Sequence, residues 1–482
     1  MYKMKKLLSL MVAALVISSG AMAEDHVMAA TKKAPQRNVP KTLSLSLEEA
    51  QDYAIESNRS LRNADLAVQE AYAQRWQTIA AMLPQAEMSW QYNKLYNADG
   101  SPYKFSFGSD TTSASYQLNK AMTQDLLERG KLDPSILQSP SAGYEMSDNS
   151  LGISASIGIN GQAIVGALLN NIAIDMQKIN KEQSEVSLRA SVKTSYASVL
   201  VLQDVVALLD SSLQNVEQLA EMTQRSVDVG AAEQTTADQI KVRVNTLRNN
   251  INSNKRSTLL ALNSLKVLLD VPVETELTLT TSLDDMLSAD AVLKLLGEDF
   301  IPQRNLSYQT LEKNVELAKT NVHMAGWAYG PTVALAYNYT KQGRMDGSPF
   351  FSMNPPHTLA VSVSMPLWSS GKRAAGVVEK KIALEEARNT FAETADNLGI
   401  QNQQLRFNLQ NSFETYTTEK ENMDVTQRVF QSTTNKFNQG ATSHLELVNA
   451  SNDLITAQST YVQAVLTLVN AQAELEKFLN NK

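Results

Sequence analysis

Two long stretches of the chain carry apolar residues at every third or fourth position and contain no proline. No proline lies between Pro140 and Pro272, and none follows Pro366. Because the spacing averages near 3.5 residues, the pattern predicts under-wound helices packed as in a coiled coil. A helix of about 65 residues would be roughly 100 Å long. The apolar positions are Leu188, Val192, Tyr196, Val199, Leu202, Val206, Leu209, Leu213, Val216 and Leu219 in the first stretch, and Leu447, Leu454, Ala457, Tyr461, Ala464, Leu468, Ala471, Leu475 and Phe478 in the second.

Four shorter segments alternate between apolar residues and small or polar ones. Each has about the 9–11 residues that a tilted membrane strand requires. Aromatic residues lie near the segment ends, and we expect Trp90, Tyr92 and Trp368 at the membrane interface. The strands of a soluble sandwich would alternate in the same way, so this pattern alone leaves both interpretations open. The apolar rows are Met88, Trp90 and Tyr92; Leu151, Ile153, Ala155, Ile157 and Ile159; Val333, Leu335, Tyr337 and Tyr339; and Leu359, Val361, Val363, Met365 and Leu367.

The sequence LSLEEAQDYAIESN predicts the start of the first helix. Ser46 is a suitable N-cap, with Glu48 and Glu49 in the first turn. We expect this helix to continue to about Met82, because the residue before Pro84 disfavours the α region. Residues 24–45 form a polar, proline-bearing lead-in.

The chain contains an internal repeat. Asn58 precedes Pro84 by 26 residues, and Asn305 precedes Pro331 by the same distance. The second strands of the two halves also begin 208 residues apart. Each half therefore has the order helix, strand, strand, long helix, glycine, helix. This order predicts a first repeat over 46–270, a connector over 271–300 and a second repeat over 301–482.

The two halves differ in the loop between their paired strands. That loop covers about 95–150 in the first half and only about 341–357 in the second. The long loop is rich in Ser, Asp, Tyr and Gly, as external loops of outer-membrane barrels tend to be.

The N-terminus has the pattern of a secretory signal peptide over residues 1–23. A basic start is followed by an apolar run from Leu7 to Ile17 and by the small-x-small sequence Ala21-Met22-Ala23. The chain has no cysteine, which excludes disulfides, thiolate metal sites and a lipidated cysteine. After the signal no run approaches 18 consecutive apolar residues, so we expect no membrane-spanning helix. The mature chain is then periplasmic, secreted or inserted by strands.

Patterns that carry enzyme chemistry are missing from the sequence. The net charge of −7 does not favour nucleic-acid binding. The four histidines are not at metal-ligand spacing, and no phosphate or dinucleotide loop is present. Acidic pairs such as Glu48-Glu49 fit solvated helix ends. We therefore expect no enzyme activity, cofactor or metal.

These features together resemble the TolC-like outer-membrane efflux proteins over nearly the whole mature chain. The resemblance rests on LSLEEAQDYAIESN with a helix ending in Leu-Pro, on the paired strands, on SMPLWSSGKR at a strand-to-helix passage and on the two glycines. It implies an α+β membrane protein of the outer membrane. Long coiled helical hairpins would form a periplasmic α-barrel, and four strands per chain would join a trimeric twelve-stranded β-barrel.

The resemblance also implies a function and partners. A homotrimer in outer-membrane lipid would serve as the exit duct of a tripartite efflux or secretion system, docked by a periplasmic adaptor and an inner-membrane pump. The alternative is a soluble periplasmic coiled-coil scaffold or adaptor, which explains the heptads but not the duplicated strands. Drugs, metals and proteins all remain open as cargo.

The resemblance also implies a structural role for Gly230 and Gly440. Glycine costs about 1 kcal/mol in a helix interior, but it supplies the left-handed conformation that a helix end needs. The two residues are expected at the periplasmic tip, where each outbound helix reverses.

The resemblance further implies an entrance constriction near the second tip. Family members carry acidic residues six and nine positions after the second glycine, where this chain has Glu446 and Asn449. The first repeat offers Asp238. A tyrosine that locks the family's tip by a hydrogen bond is replaced here by Phe437, which cannot donate one.

Overall fold

A computed structural model describes residues 41–102, 104–105, 114–130, 144–145, 147–230, 233–343 and 356–480. The predicted signal peptide over 1–23 and residues 24–40 of the lead-in lie outside the described residues.

Long helices make up most of the described chain, and short strands are grouped in three small sheets. The elements, numbered along the chain, are β1 (Thr42–Leu45), α1 (Leu47–Ser57), α2 (Arg59–Ala80), β2 (Gln85–Lys94), β3 (Lys104–Phe105), α3 (Ala114–Glu128), β4 (Tyr144–Glu145), β5 (Ser147–Asn160), α4 (Gly161–Asp228), α5 (Gln234–Leu268), β6 (Glu276–Leu279), α6 (Leu283–Met286), α7 (Ala289–Gly297), α8 (Leu306–Gly326), β7 (Thr332–Gly343), β8 (His357–Ser364), α9 (Lys372–Asn438) and α10 (His444–Leu479). Short 3₁₀ turns cover Pro302–Arg304 and Trp327–Tyr329.

The chain divides into two compact units. The described residues of the first lie within Met1–Gln77, Val165–Gly326 and Gly371–Lys482, and their regular structure is helical apart from the pair β1–β6. The second consists of Thr78–Ile164 and Trp327–Ser370, and it contains a four-stranded sheet.

Two helical hairpins dominate the first unit, and their lengths agree with the sequence pattern. Helices α4 and α9 have 68 and 67 residues, close to the predicted length of about 65. Each is followed after a short turn by a helix half as long, α5 or α10. Two apolar clusters contain buried residues of these helices. We call the smaller one the turn-side core; its buried members are Val205, Leu209, Val216, Leu219, Ile240, Val244, Leu247, Ile251, Phe430, Leu447, Ala450 and Leu454.

The first predicted helix is wrong in one respect, because it is broken at Asn58. Ser46 caps α1 as expected, in a capping box with Glu49. Asn58, however, has an extended backbone with ψ of 128°, and its Oδ1 accepts hydrogen bonds from the backbone N–H of Ser60 and Leu61. Asparagine competes well for backbone donors in this way, so it ends α1 and begins α2.

The same arrangement occurs in the second half. Oδ1 of Asn305 accepts from the N–H groups of Ser307 and Tyr308, and its Nδ2 donates to Phe478 O at 2.8 Å. Nδ2 of Asn58 likewise donates to Leu268 O at 2.8 Å. The asparagines that mark the repeat in the sequence therefore join the start of one helix to the end of a hairpin in each half.

The end of the polar lead-in also differs from the expectation. Its last residues form β1, which pairs in parallel with β6 of the connector, where the sequence ETELTL suggests a strand. Tyr196, fully buried on α4, fixes this pair: its Oη donates to Leu45 O and accepts from the N–H of Thr281, each at 3.0 Å. A backbone partner some 230 residues away in sequence supplies the hydrogen bonds of β1.

The sheet of the second unit has the strand order β2-β5-β7-β8, with every neighbouring pair antiparallel. The four predicted strands are thus confirmed, with shifted ends. Strand β5 begins at Ser147 instead of Leu151. Strand β8 ends at Ser364, two residues before Pro366, so Met365 and Leu367 lie outside it. Proline cannot donate to a strand ladder, which explains this end.

One described helix, α4, contains an 18-residue window that is apolar enough to cross a membrane by length and composition alone. Within this window 44% of the residues are buried inside the protein. Core helices of soluble proteins can have the same length and composition.

Candidate functional sites: the exposed sheet and the two glycine turns

The sheet presents one continuous apolar face. Register places Met88 opposite Ile153, Ile153 opposite Tyr339, and Leu335 opposite Val361. Since paired residues share a face, those members of the four predicted apolar rows that lie within the strands are on the same side. Most of these side chains are exposed, for example Met88 at 72% and Val361 at 69%, whereas Ile157, Tyr337 and Tyr339 are partly buried. In a soluble sandwich a face of this kind would be buried against a second sheet.

The opposite face is small and polar. Ser154 of β5 pairs with Asn338 of β7, and Ala336 of β7 pairs with Ala360 of β8. An apolar outer face and a small, polar inner face are what a strand needs to separate lipid from a water-filled lumen.

The three aromatic residues expected at a membrane interface occupy different positions. Trp90 and Tyr92 lie on the apolar face of β2, with Trp90 near the middle of the strand. Trp368 follows the end of β8 and is 87% exposed. Their contact with an interface stays a prediction.

Within the described residues, the outer edges of β2 and β8 have no strand partner. Unpaired backbone groups at a sheet edge are templates for pairing with another chain. The sheet is therefore an incomplete structure that is suited to further strand addition.

A close contact between Trp327 and Gly161 was not foreseen from the sequence. Gly161 begins α4 directly after β5, and a Cβ placed there would lie 2.1 Å from Cδ2 and Cε3 of Trp327. The indole therefore lies on the bare Cα of the glycine, just before β7 begins. Only glycine fits this passage from strand to helix.

Gly161→Ala is expected to destabilise the protein by about 1–3 kcal/mol, because the indole ring must move to admit the methyl group. Thermal unfolding of the detergent-purified protein, followed by tryptophan fluorescence, measures the change. Gly166→Ala is the matched control in the same helix, since a Cβ there meets nothing within 4 Å. The control should be neutral or stabilising by about 0.5–1 kcal/mol. Equal stability of the two variants would contradict the packing argument.

Gly440 ends α9 in a C-terminal capping motif with two backbone hydrogen bonds. Its φ is +70°, its N–H donates to Phe437 O at 2.9 Å, and the N–H of Ala441 donates to Lys436 O at 2.8 Å. This pair of bonds is the Schellman motif, in which the left-handed residue is usually glycine. The chain then enters α10, whose N-cap is Ser443.

Gly230 also ends α4 in the left-handed conformation. Its φ is +76°, and its N–H donates to Val227 O at 2.9 Å. Both glycines therefore lie at chain reversals in left-handed conformation. Their position at a periplasmic tip stays a prediction.

Glu446 lies in the first turn of α10, three residues after the N-cap. Its backbone N–H donates to Oγ of Ser443 at 3.3 Å, and its side chain is exposed. A carboxylate here also interacts favourably with the positive end of the helix dipole. Asn449 is exposed one turn later. In the first repeat Asp238 is exposed and accepts from Nε2 of Gln234 at 3.0 Å.

Phe437 packs against the turn-side core and is partly buried. A phenyl ring provides apolar contact there, and its backbone carbonyl accepts the bond from Gly440. The side chain itself has no hydrogen-bonding group.

A polar contact near the turns joins the two hairpins through Arg243, which the sequence did not single out. Nε of Arg243 on α5 donates to Oγ of Ser451 on α10 at 3.0 Å, and Nη1 donates to Oδ1 of Asn452 at 2.8 Å. No feature of the sequence around a single arginine indicates this contact. Across the described ranges no cluster of three or more His, Asp or Glu residues could hold a metal ion.

Long helical hairpins together with a sheet that exposes an apolar face define a protein of the outer-membrane channel class. Residues 51–270 and 301–481 match the family model described as "Outer membrane efflux protein". The chain belongs to this family. The family match disfavours the soluble scaffold.

Curated relatives and solved structures agree with this assignment. The chain is 22% identical over 307 residues to the probable efflux pump outer membrane protein TtgC of Pseudomonas putida, a match that covers 62% of this chain and 61% of TtgC. It therefore spans less than two thirds of the length of that relative. SrpC, a solvent efflux pump outer membrane protein of Pseudomonas putida, is 22% identical over 326 residues, which cover 64% of this chain and 66% of SrpC.

Among solved structures, a membrane protein of Pseudomonas aeruginosa aligns with a TM-score of 0.66 and 14% identity over 93% of this chain and 99% of its own. The open state of the Neisseria gonorrhoeae outer membrane channel MtrE aligns with a TM-score of 0.65 and 16% identity, over 90% of this chain and 88% of MtrE. At this identity the likeness shows the fold.

Proposed function

We propose that the chain is one subunit of a homotrimeric outer-membrane exit duct. It receives substrates from an inner-membrane pump through a periplasmic adaptor and releases them outside the cell. The observation that carries the proposal is the sheet of β2, β5, β7 and β8, with its exposed apolar face and two open edges.

Open edges require additional chains. In lipid the backbone groups of β2 and β8 would lack partners, and such edges are not tolerated there. Three copies with four strands each would close a twelve-stranded barrel. The small, polar face with Ser154 and Ala336 would then line the lumen.

The helical hairpins would form the periplasmic tunnel. A helix of 68 residues such as α4 extends about 100 Å. The segments 229–236 and 439–443 around the glycine turns are small and mostly polar, which suits close helix-tip packing by an adaptor. Relatives are named for the efflux of toluene, solvents and antibiotics, which supports small molecules as cargo.

Orientation gives the sharpest test of this proposal, because the chain has no cysteine of its own. Asp99→Cys, in the exposed turn after β2, should react with an impermeant thiol reagent on intact cells. Gln439→Cys, exposed beside the second glycine turn, should react only after the outer membrane is permeabilised. On intact cells we expect nearly complete labelling of Asp99→Cys and only background labelling of Gln439→Cys. The reverse pattern would overturn the orientation.

The oligomeric state can be measured on membranes prepared from the same cells. The detergent-extracted protein should have the mass of three chains, and it should stay in the membrane pellet after high-salt washing. A stable monomer, or release into the wash, would contradict the duct.

A further inference from the structure

One end of the apolar sheet face is basic. Lys94 ends β2 on the same side as Trp90 and Tyr92, because residues two apart in a strand share a face. Lys341 of β7 lies opposite Leu151, which in turn lies opposite Trp90. Both lysines therefore belong to the apolar face. They lie toward the end from which the loops after β2 and β7 leave, here called the loop end.

The charges of the sheet are segregated between its two faces. Among the strand side chains that the structure describes, those on the apolar face include no carboxylate. Glu87 pairs with Ser154 and so lies on the small, polar face. Asp99, in the turn after β2, accepts from the N–H and Oγ of Ser101 at 2.9 and 2.6 Å, so its carboxylate is used within that turn. The loop end of the apolar face thus presents positive charge.

Aromatic rings accompany the two lysines. The ring centroids of Tyr339 and His357 are 4.9 Å apart, and a hydrogen bond of 2.8 Å joins Oη of Tyr337 to Nδ1 of His357. Nζ of Lys94 lies 5.6 Å from the ring centroid of Tyr96, a cation–π contact. Rings that combine an apolar body with a polar group suit the boundary between hydrocarbon and lipid headgroups. Toward the loop end, apolar side chains therefore give way to aromatic rings and ammonium groups.

The spacing of the lysines favours a ligand with more than one anionic group. Two strand spacings separate Lys94 from Lys341 across the sheet, roughly 10 Å, and four residues separate them along it, roughly 13 Å. Their Cα atoms are therefore about 16 Å apart, and the ammonium of Lys94 is held over Tyr96. A free phosphate ion would occupy one lysine at most and would leave the apolar band uncovered.

An amphiphilic ligand satisfies both parts of this surface. Acyl chains cover the exposed apolar band, where Met88 and Val361 lie. The stem of a lysine lies along such a surface while its ammonium reaches the headgroups. A phosphate at that level accepts a charge-assisted hydrogen bond, which is stronger than one between neutral groups.

We propose that the loop end of the apolar face binds the phosphate groups of membrane lipids, with Lys341 and Lys94 holding separate phosphates of the headgroups. The inference rests on the proposed duct for its leaflet, because the duct places the loop end at the outer surface of the outer membrane. The recognition itself depends on the two lysines and the apolar band.

Lipid binding to the detergent-purified protein tests this proposal. Native mass spectrometry counts bound lipids and compares diphosphorylated lipid A with the same lipid after removal of both phosphates. Lys341→Gln and Lys94→Gln should each weaken binding of the phosphorylated lipid by roughly fivefold, the effect of one basic residue at an anionic lipid surface. Wild type should therefore prefer the phosphorylated lipid by roughly 25-fold, the product of two such effects. Binding of the dephosphorylated lipid should be the same in all three proteins.

Two further variants serve as controls. Lys341→Arg keeps the positive charge and should retain the preference for phosphate. Lys241→Gln removes an exposed lysine from α5, in the other compact unit, and should leave both affinities unchanged. Thermal unfolding shows whether each variant is folded. Inorganic phosphate at the concentration of the lipid should not displace it.

The outcomes separate the headgroup site from the duct. Equal binding of the two lipids by wild type would overturn the headgroup site, as would an equal loss in Lys241→Gln or displacement by inorganic phosphate. Association of this face with a second copy, without bound lipid, would also overturn it. None of these results changes the labelling pattern or the trimer mass that test the duct. A lysine-dependent preference for phosphate in a protein with the reverse labelling pattern would refute the orientation of the duct and support lipid recognition by the two lysines.

Discussion

Gly440→Val is expected to remove most export activity while the protein still folds and inserts in the outer membrane. Gly440 has a φ of +70°, a conformation that a β-branched residue adopts only at a cost of about 1–3 kcal/mol. The strain would lie in the turn between α9 and α10, and we expect the backbone of this turn to rearrange in response. Because a Cβ at this position meets nothing within 4 Å, the effect would come from backbone strain and not from a clash.

Export by cells that carry the variant, measured as resistance to an exported toxic compound, checks this prediction. The amount of trimer in the outer membrane must be measured alongside, and it should stay close to wild type. Gly440→Asn is the matched control, since asparagine tolerates the left-handed region, and it should retain export. Gly230→Val should behave like Gly440→Val, because φ there is +76°. Normal export by both valine variants would remove the two turns from any functional role.

The long helices and their reversals could be predicted because each depends on local sequence. A heptad pattern without proline specifies a helix, and a glycine after it specifies where that helix stops. The apolar face of the sheet could be predicted for the same reason, since alternation fixes the side of every residue once a strand forms. Strand ends were less accurate, because pairing partners determine how far β5 extends.

Contacts between residues distant in sequence could not be predicted. The hydrogen bond from Tyr196 to Leu45 joins positions 151 residues apart, and that from Arg243 to Ser451 joins positions 208 apart. Nothing near either residue indicates its partner. The sequence around Gly161 does not indicate that glycine is needed there either, because the need arises from its contact with the ring of Trp327, which is distant in sequence. The break at Asn58 did have a local signal, since asparagine favours caps over helix interiors.

Charge selectivity should change when the carboxylate at Glu446 is removed. We expect Glu446→Gln to lower the permeability of cations relative to anions and to weaken block by multivalent cations from the periplasmic side. Three exposed carboxylates around one opening would concentrate negative potential there. An interaction of about 1 kcal/mol, as for unit charges 4 Å apart in water, corresponds to roughly a fivefold change in the permeability ratio. Reversal potentials in asymmetric salt measure that ratio.

Asn449→Asp supplies the opposite change. It adds a carboxylate one turn further along α10, and it should raise both cation selectivity and block. Glu474→Gln is the control, because it removes the same charge from the same helix in an exposed pair with Lys477.

Helix capping is the competing explanation for Glu446, since its backbone N–H is bound by Ser443 and a carboxylate there stabilises the first turn. Glutamine preserves the capping geometry, so Glu446→Gln separates the two roles. A variant that loses about 0.3–1 kcal/mol of stability, with unchanged selectivity and block in both Glu446→Gln and Asn449→Asp, would assign Glu446 to the helix end and not to the pore.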